Sequence, residues 1–254
     1  MKGNAAVNEF NAEYFESEIT TSVLWESHCH TQFELIAVTK GDVSVMHEGE
    51  RYRLTGGQIM LIPPLSYHTV TANGANTYHR VTVLFDPSQI PSVLRSSFGE
   101  LKKSAAVFFS PHAQKLKEIC QKESQAFYAP LLQSTMIQIF YEALPMLKAT
   151  PKESEDDFLK TTLRYIDGHL HEKISLDDLA HHTARSKSSF CHLFEKKMNV
   201  SPKQYILQKK LAIAKKMIDE GVPYTTAAIR IGYENYSNFY RLYKKYEAHE
   251  KEDG

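Results

Sequence analysis

The last third of the chain repeats itself. Leu179-Ala180-His181-His182-Thr183-Ala184 precedes a turn and then Phe190, Leu193, Phe194 and Lys196. Ala227-Ala228-Ile229-Arg230-Ile231-Gly232 precedes a turn and then Phe239, Leu242, Tyr243 and Lys245. The first halves are offset by 48 residues and the second halves by 49, so the second turn is one residue longer. An alanine with a small residue four positions on lets two helices cross closely, and a glycine such as Gly232 permits the positive φ that tight turns use. Pro202 opens a helix between the copies, with Tyr205, Ile206, Leu211, Ala214, Met217 and Ile218 sharing a face. The pattern predicts two helix-turn-helix units fixed by one long helix. At a spacing near one DNA turn, about 34 Å, both second helices can enter successive major grooves.

Charge agrees with that reading. The formal net charge is zero, but residues 185–245 hold 13 Lys or Arg against four acids, a net +9, while the first 154 residues hold 13 against 15. A basic block beside a mildly acidic remainder is the electrostatic footprint of a nucleic-acid module joined to something else. A charge block alone is more often a solvated face, and here the repeat supplies the fold that makes it more.

The same region resembles the C-terminal domain of AraC-type (AraC/XylS) transcription regulators. The matching residues are Ile174 to Ala184, Ser186, Phe190, Phe194, Ser201-Pro202, Tyr205, Leu211, Ala214, Ala228, Ile231-Gly232-Tyr233, Ser237, Phe239, Arg241 and Tyr243-Lys244-Lys245. Three departures stand out: Arg185 in a turn where glycine is frequent, Ala227 for a larger apolar residue, and Glu247 to Gly254 in place of a closing Gly-x-Ser-Pro segment. The resemblance implies a first recognition helix at about 187–197, with Ser188, Cys191 and His192 facing bases and Lys187 and Lys196 near phosphates. It implies a second at about 236–246, with Tyr236, Ser237, Tyr240 and Arg241 facing bases and Lys244 and Lys245 near phosphates. Arginine can grip a guanine edge bidentately, and lysines add salt-sensitive affinity for any sequence.

The first half reads differently. Phe33–Thr39, Val43–Met46, Arg51–Leu54, Gln58–Ile62 and Val81–Phe85 look like short strands from about Ser22 onward, separated by Lys40-Gly41-Asp42, Glu48-Gly49-Glu50 and Gly56-Gly57. Such spacing predicts a small sandwich or barrel. Leu116, Ile119, Cys120 and Phe127, then Leu132, Met136, Ile139, Phe140, Ala143 and Leu147, fall at helical spacing, predicting two helices that meet near Ala129-Pro130. Helices this apolar need a partner, and a second copy of the chain would serve. The acidic, proline-bearing stretch 149–157 reads as a linker. The expected fold class is therefore α+β in two domains: a barrel with two trailing helices over 1–148, and an all-α domain over 158–254.

Within the first half, His28-x-His30-x3-Glu34-x6-Gly41 is followed by Gly57-x5-Pro63-x4-His68. On a regular strand His28, His30 and Glu34 share one face. With His68 they make an N3O donor set suited to Zn, Ni, Fe or Mn. The spacing resembles the two cupin motifs, although Ser22, Leu65 and Ala72 replace two glycines and an asparagine. AraC-type regulators carry cupin-like barrels in which such residues line an effector pocket without metal, so a metal site and a bare polar pocket both stay open. Trp25 is placed in the same pocket, and Trp25, Phe33, Tyr67 and Tyr78 could stack on a sugar, although aromatics in strands are more often core. The remaining histidines, His47 among them, read as surface or packing residues.

The leading reading is a transcription regulator, not an enzyme: a cytoplasmic homodimer that binds double-stranded DNA and a small-molecule effector such as a sugar, and touches RNA polymerase if it activates. Its rival is a metal-dependent cupin isomerase or dioxygenase with a helical partner-binding tail, and a third reading is a sensor of the metal itself. Three scattered cysteines, Cys29, Cys120 and Cys191, give no disulfide framework and fit a reducing compartment. The glutamate-bearing start is not a signal peptide, and no apolar run suits a membrane span.

Overall fold

The computed structural model describes residues 10–19, 28–73, 76–99, 105–122, 127–148 and 157–252. Trp25, Ser22 and all of the expected linker except Asp157 lie outside them. Among the described residues, 10–19, 32–47 and 51–148 form one compact unit, and 28–31, 48–50 and 157–252 form another.

The first unit holds β1 (Asn11–Ile19), β2 (Phe33–Lys40), β3 (Asp42–His47), β4 (Glu50–Thr55), β5 (Gln58–Ile62), β6 (His68–Ala72), β7 (Asn76–Phe85) and β8 (Ala106–Phe109), with α1 (Arg95–Gly99), α2 (His112–Cys120) and α3 (Tyr128–Lys148). The strands form a five-stranded sheet, β1-β7-β2-β5-β8, and a three-stranded one, β4-β3-β6. All five expected strands are present, and β1, β6 and β8 join them.

Alternation along β2 gives the five-stranded sheet two dry faces. Phe33, Leu35 and Ala37 join Ile59, Leu61, Val81, Val83 and Phe85 in a core closed by Phe98 of α1, Leu116 and Ile119 of α2, and Leu132, Met136, Ile139 and Phe140 of α3. Phe85 and Phe98 each lie 5.2 Å from Phe140, centroid to centroid. Ile36 and Val38 point the other way, joining Met60, Ile62 and Tyr78 against Val43, Val45, Leu54, Val70 and Ala72 of the three-stranded sheet. The apolar stripe of α3 is thus covered by its own sheet. The helix break also falls earlier than expected, since Pro130 sits in the first turn of α3, where its missing N–H costs nothing.

In the second unit α4 (Asp157–Gly168) leads into α5 (Leu176–His182) and α6 (Lys187–Met198), then α7 (Pro202–Asp219), α8 (Tyr224–Arg230) and α9 (Tyr236–Glu252). Side-chain caps start the helices: the Ser175, Ser186 and Ser201 hydroxyls accept the backbone N–H groups of Asp178, Ser189 and Gln204, and the Asn235 carboxamide oxygen accepts that of Asn238. Phe190, Phe194 and Tyr205 cluster around the first repeat. Leu211, Ala214, Ala227, Ala228, Ile231, Phe239 and Tyr243 form the core of the second. Lys210 of α7 donates to the carbonyl oxygens of Ile231, at 2.7 Å, and Glu172. Burial pushes its ammonium pKa down.

Candidate DNA interface and a polar cluster between the sheets

α6 starts at the expected residue, and α9 does too but runs past the expected end to Glu252. Their buried faces fix which side is left to a ligand. Phe190, Phe194 and Met198 on α6, and Phe239 and Tyr243 on α9, are buried. The opposite faces present Lys187, Ser188, His192 and Lys196 on one helix and Tyr236, Ser237, Tyr240, Arg241, Lys244 and Lys245 on the other, all exposed. Cys191 is half-buried. Every residue expected to touch DNA therefore stands on or beside the outward face of its helix.

Several are braced. The Lys187 ammonium lies 2.9 Å from Asp177 and that of Lys244 2.6 Å from Glu247, and these hydrogen bonds raise both lysine pKa values. Exposed pairs of this kind are weak, so a phosphate can replace either carboxylate. Arg241 donates to the Asn238 carboxamide at 3.1 Å. Tyr240 packs edge-on to Tyr224 and lies 5.9 Å from Tyr236, so the second helix carries an aromatic platform that the first lacks.

A polar pair lies in the strand-rich unit: of the four expected pocket residues it holds Glu34 and His68, whereas His28 and His30 fall in the other unit. Glu34 stands on the same face of β2 as Ile36 and Val38, and His68 on the same face of β6 as Val70 and Ala72, so both point between the sheets. Glu34 is 5% exposed and His68 fully buried, with His68 Nε2 2.7 Å from a Glu34 oxygen. His68 Nδ1 lies 3.0 Å from the Ser66 carbonyl, which can only accept, so Nδ1 carries a proton. Ser66 follows Leu65, whose φ of 59° puts a bulky residue in the left-handed region at the position where the motif expects glycine.

One expectation fails here. His28, His30 and Glu34 do not share a regular strand: His28 forms an isolated bridge, 31–32 bend, and β2 begins at Phe33. Phe33 faces the helices, stacked on Phe85 at 5.3 Å, and Tyr67 and Tyr78 are buried. His47 pairs with His68 across the β3–β6 ladder and is 1% exposed, a packing residue rather than a surface one. The alternation Val43, Val45, His47 carries that signal. Cys29 is buried, and Cys120 and Cys191 are partly so; all three are free thiols.

Comparison with known proteins now decides the family. The model of the AraC-like ligand binding domain matches residues 11–140, and a helix-turn-helix domain model matches residues 179–249. The chain belongs to the AraC family. Like the family's regulators it joins an N-terminal ligand-binding domain to a C-terminal helix-turn-helix DNA-binding domain. This AraC-family chain is 22% identical over 227 residues to the uncharacterized HTH-type transcriptional regulator YbfI of Bacillus subtilis, covering 83% of this chain and 80% of the relative. It is 24% identical over 219 residues to YobQ of the same organism, covering 86% and 83%. A crystal structure of ToxT from Vibrio cholerae aligns with a TM-score of 0.49 and 11% identity, over 94% of this chain and 93% of that one. Among the described residues no helix is long and apolar enough to cross a membrane.

Proposed function

We propose that this AraC-family regulator is ligand-responsive, with residues 1–148 binding a small-molecule effector, 149–157 linking, and 158–254 reading two adjacent major grooves. The observation that carries the reading is the matched pair of recognition helices, α6 and α9, each capped at its start and turning its polar face outward. Ser188, Cys191 and His192, and Tyr236, Ser237, Tyr240 and Arg241, are assigned to base edges, with Lys187, Lys196, Lys244 and Lys245 on phosphates. His28, His30, Glu34 and His68, together with Trp25, are assigned to the effector. Phe127, Leu131, Tyr141 and Met146 are exposed at the start and outer side of α3, which supports a homodimer through that helix in the cytoplasm, with RNA polymerase contact if the regulator activates. A ligand acts only by binding two arrangements of the protein with different affinity.

The test is selection of bound fragments from a random duplex pool by the full chain, followed by affinity measurements at several salt concentrations. A shared motif with two half-sites about 10 base pairs apart is expected. Binding that shows no sequence preference would remove the regulator reading.

A further inference from the structure

We propose that Glu48 is a positioning residue for the first recognition helix, seating α6 through Tyr205 and the buried ammonium of Lys209. The seat stands on contacts within the second compact unit, to which residues 48–50 belong. Its effect on base recognition rests on the regulator reading above.

The buried charge comes first. The Lys209 side chain on α7 is 3% exposed, and an ammonium so far from water needs carboxylates beside it. Glu48 lies 3.1 Å away with its side chain 13% exposed, and Asp167 of α4 lies 2.9 Å away at 39%. Burial alone would lower the Lys209 pKa, but Glu48 and Asp167 outweigh it and raise the value. Solvent screens the more exposed Asp167, so the drier Glu48 supplies the larger share of the compensation.

The other oxygen of Glu48 reaches α6 through one intermediary. It accepts the Tyr205 hydroxyl at 2.6 Å, and the Tyr205 ring packs edge-on against Phe194 at 5.5 Å. Gly49 meets the same helix directly, since a Cβ there would lie 2.5 Å from Leu159 Cδ1 on α4 and 3.0 Å from Met198 Sδ. The buried side chains of α6 are Phe190, Phe194 and Met198, so two of the three rest on this turn or on what it braces. The second recognition helix has no such support from Glu48. Its buried Phe239 and Tyr243 pack with Ala228 and Ile231 in a core that includes neither Tyr205 nor Met198.

The backbone of the turn agrees. Glu48 and Gly49 both lie in the left-handed region, at φ 47° and 84°. Two successive positive φ values suit a two-residue hairpin turn, where Asn, Asp or Gly is usual. A glutamate there is strained, and its contacts with Tyr205 and Lys209 supply the compensation.

The full chain and its E48Q variant are compared by hydrogen exchange without DNA and by selection from a random duplex pool. Glutamine keeps the shape and can still accept from Tyr205, but it leaves Lys209 with Asp167 alone. Exchange in α6 should quicken at least about tenfold with α8 and α9 unchanged, as local opening of one seat requires. The selected motif should lose preference in one half-site only. E48Q/K209M removes both charges and should restore slow exchange in α6 together with the lost half-site. Unchanged exchange in α6 of E48Q, or preference lost equally from both half-sites, overturns the proposal. Should E48Q fail to fold, the double variant decides. Folded and reading both half-sites, it supports the pair; unfolded, or lacking one half-site, it overturns it. A wild type without sequence preference would defeat the regulator reading and leave the exchange result untouched, so the two fail separately.

Discussion

The two helix-turn-helix units of this chain share one plan but close their turns with different residues. Ala184 N–H donates to His181 and Arg185 N–H to Ala180; 48 residues on, Gly232 donates to Ile229 and Tyr233 to Ala228. Both turns place their pivot in the left-handed region, Ala184 at φ 52° and Gly232 at φ 77°. The first unit accepts a methyl group there. The second cannot, because a Cβ on Gly232 would lie 2.6 Å from the Glu172 carbonyl carbon and 2.8 Å from its Cα. Glycine at the second turn is needed for contact as well as for φ. At the first turn only the torsional cost applies. Lys210 pins the second turn from α7 through Glu172 and Ile231. Beside the first, the Arg185 guanidinium lies 5.2 Å from the centre of the Phe158 ring. Two copies of one motif therefore solve the same backbone problem with different tolerances.

Gly232→Ala gives the largest expected effect. A left-handed alanine costs about 1 to 2 kcal/mol, and collision with backbone adds to it, for a loss of roughly 2 to 4 kcal/mol in urea denaturation. A loss below about 1 kcal/mol would show that the Glu172 segment yields. Next comes Arg241→Ala, expected to weaken specific DNA binding by about 1 to 3 kcal/mol and relax one base position, while His192→Ala in the first unit costs less. Equal losses would mean that the aromatic platform under α9 gives the second unit no advantage. Ala184→Gly relieves the strained alanine but loosens the unfolded chain, so it should shift stability by no more than about 1 kcal/mol in either direction. A drop as large as that of Gly232→Ala would make the two turns equivalent after all.

How much of this was visible beforehand follows the range of the interactions involved. The recognition helices are set by local signals, Ser186 and Asn235 at their starts and a buried aromatic stripe along each, so their faces could be read from the sequence. β1 could not, because it is an edge strand with glutamates on both faces, Glu13 on one and Glu16 and Glu18 on the other, and β8 is too short to show a period. His28, His30 and Glu34 were recognisable by their spacing, yet the start of the regular strand only at Phe33 was not. A bend at 31–32 is a tertiary event, whereas the reading assumed one regular strand. The apolar face of α3 was read correctly as needing cover. The cover it receives on that side is the sheet of its own chain, a long-range contact that no local period announces.

The smallest expected effect is also the one that separates the roles of neighbouring residues on α9. Lys245 is exposed one helical turn beyond Arg241, past the part of the helix that would lie deepest in a groove. Its ammonium adds affinity by releasing counterions from phosphate, a gain that does not depend on which bases are nearby. Lys245→Ala should therefore weaken operator and unrelated duplex by the same factor and flatten the plot of log affinity against log salt by about one unit of slope. Arg241→Ala should instead separate the two DNAs. If Lys245→Ala altered the ratio of operator to unrelated affinity, α9 would lie deeper in the groove than its buried Phe239 and Tyr243 face implies. The comparison between the two units would then need a different docking angle for each.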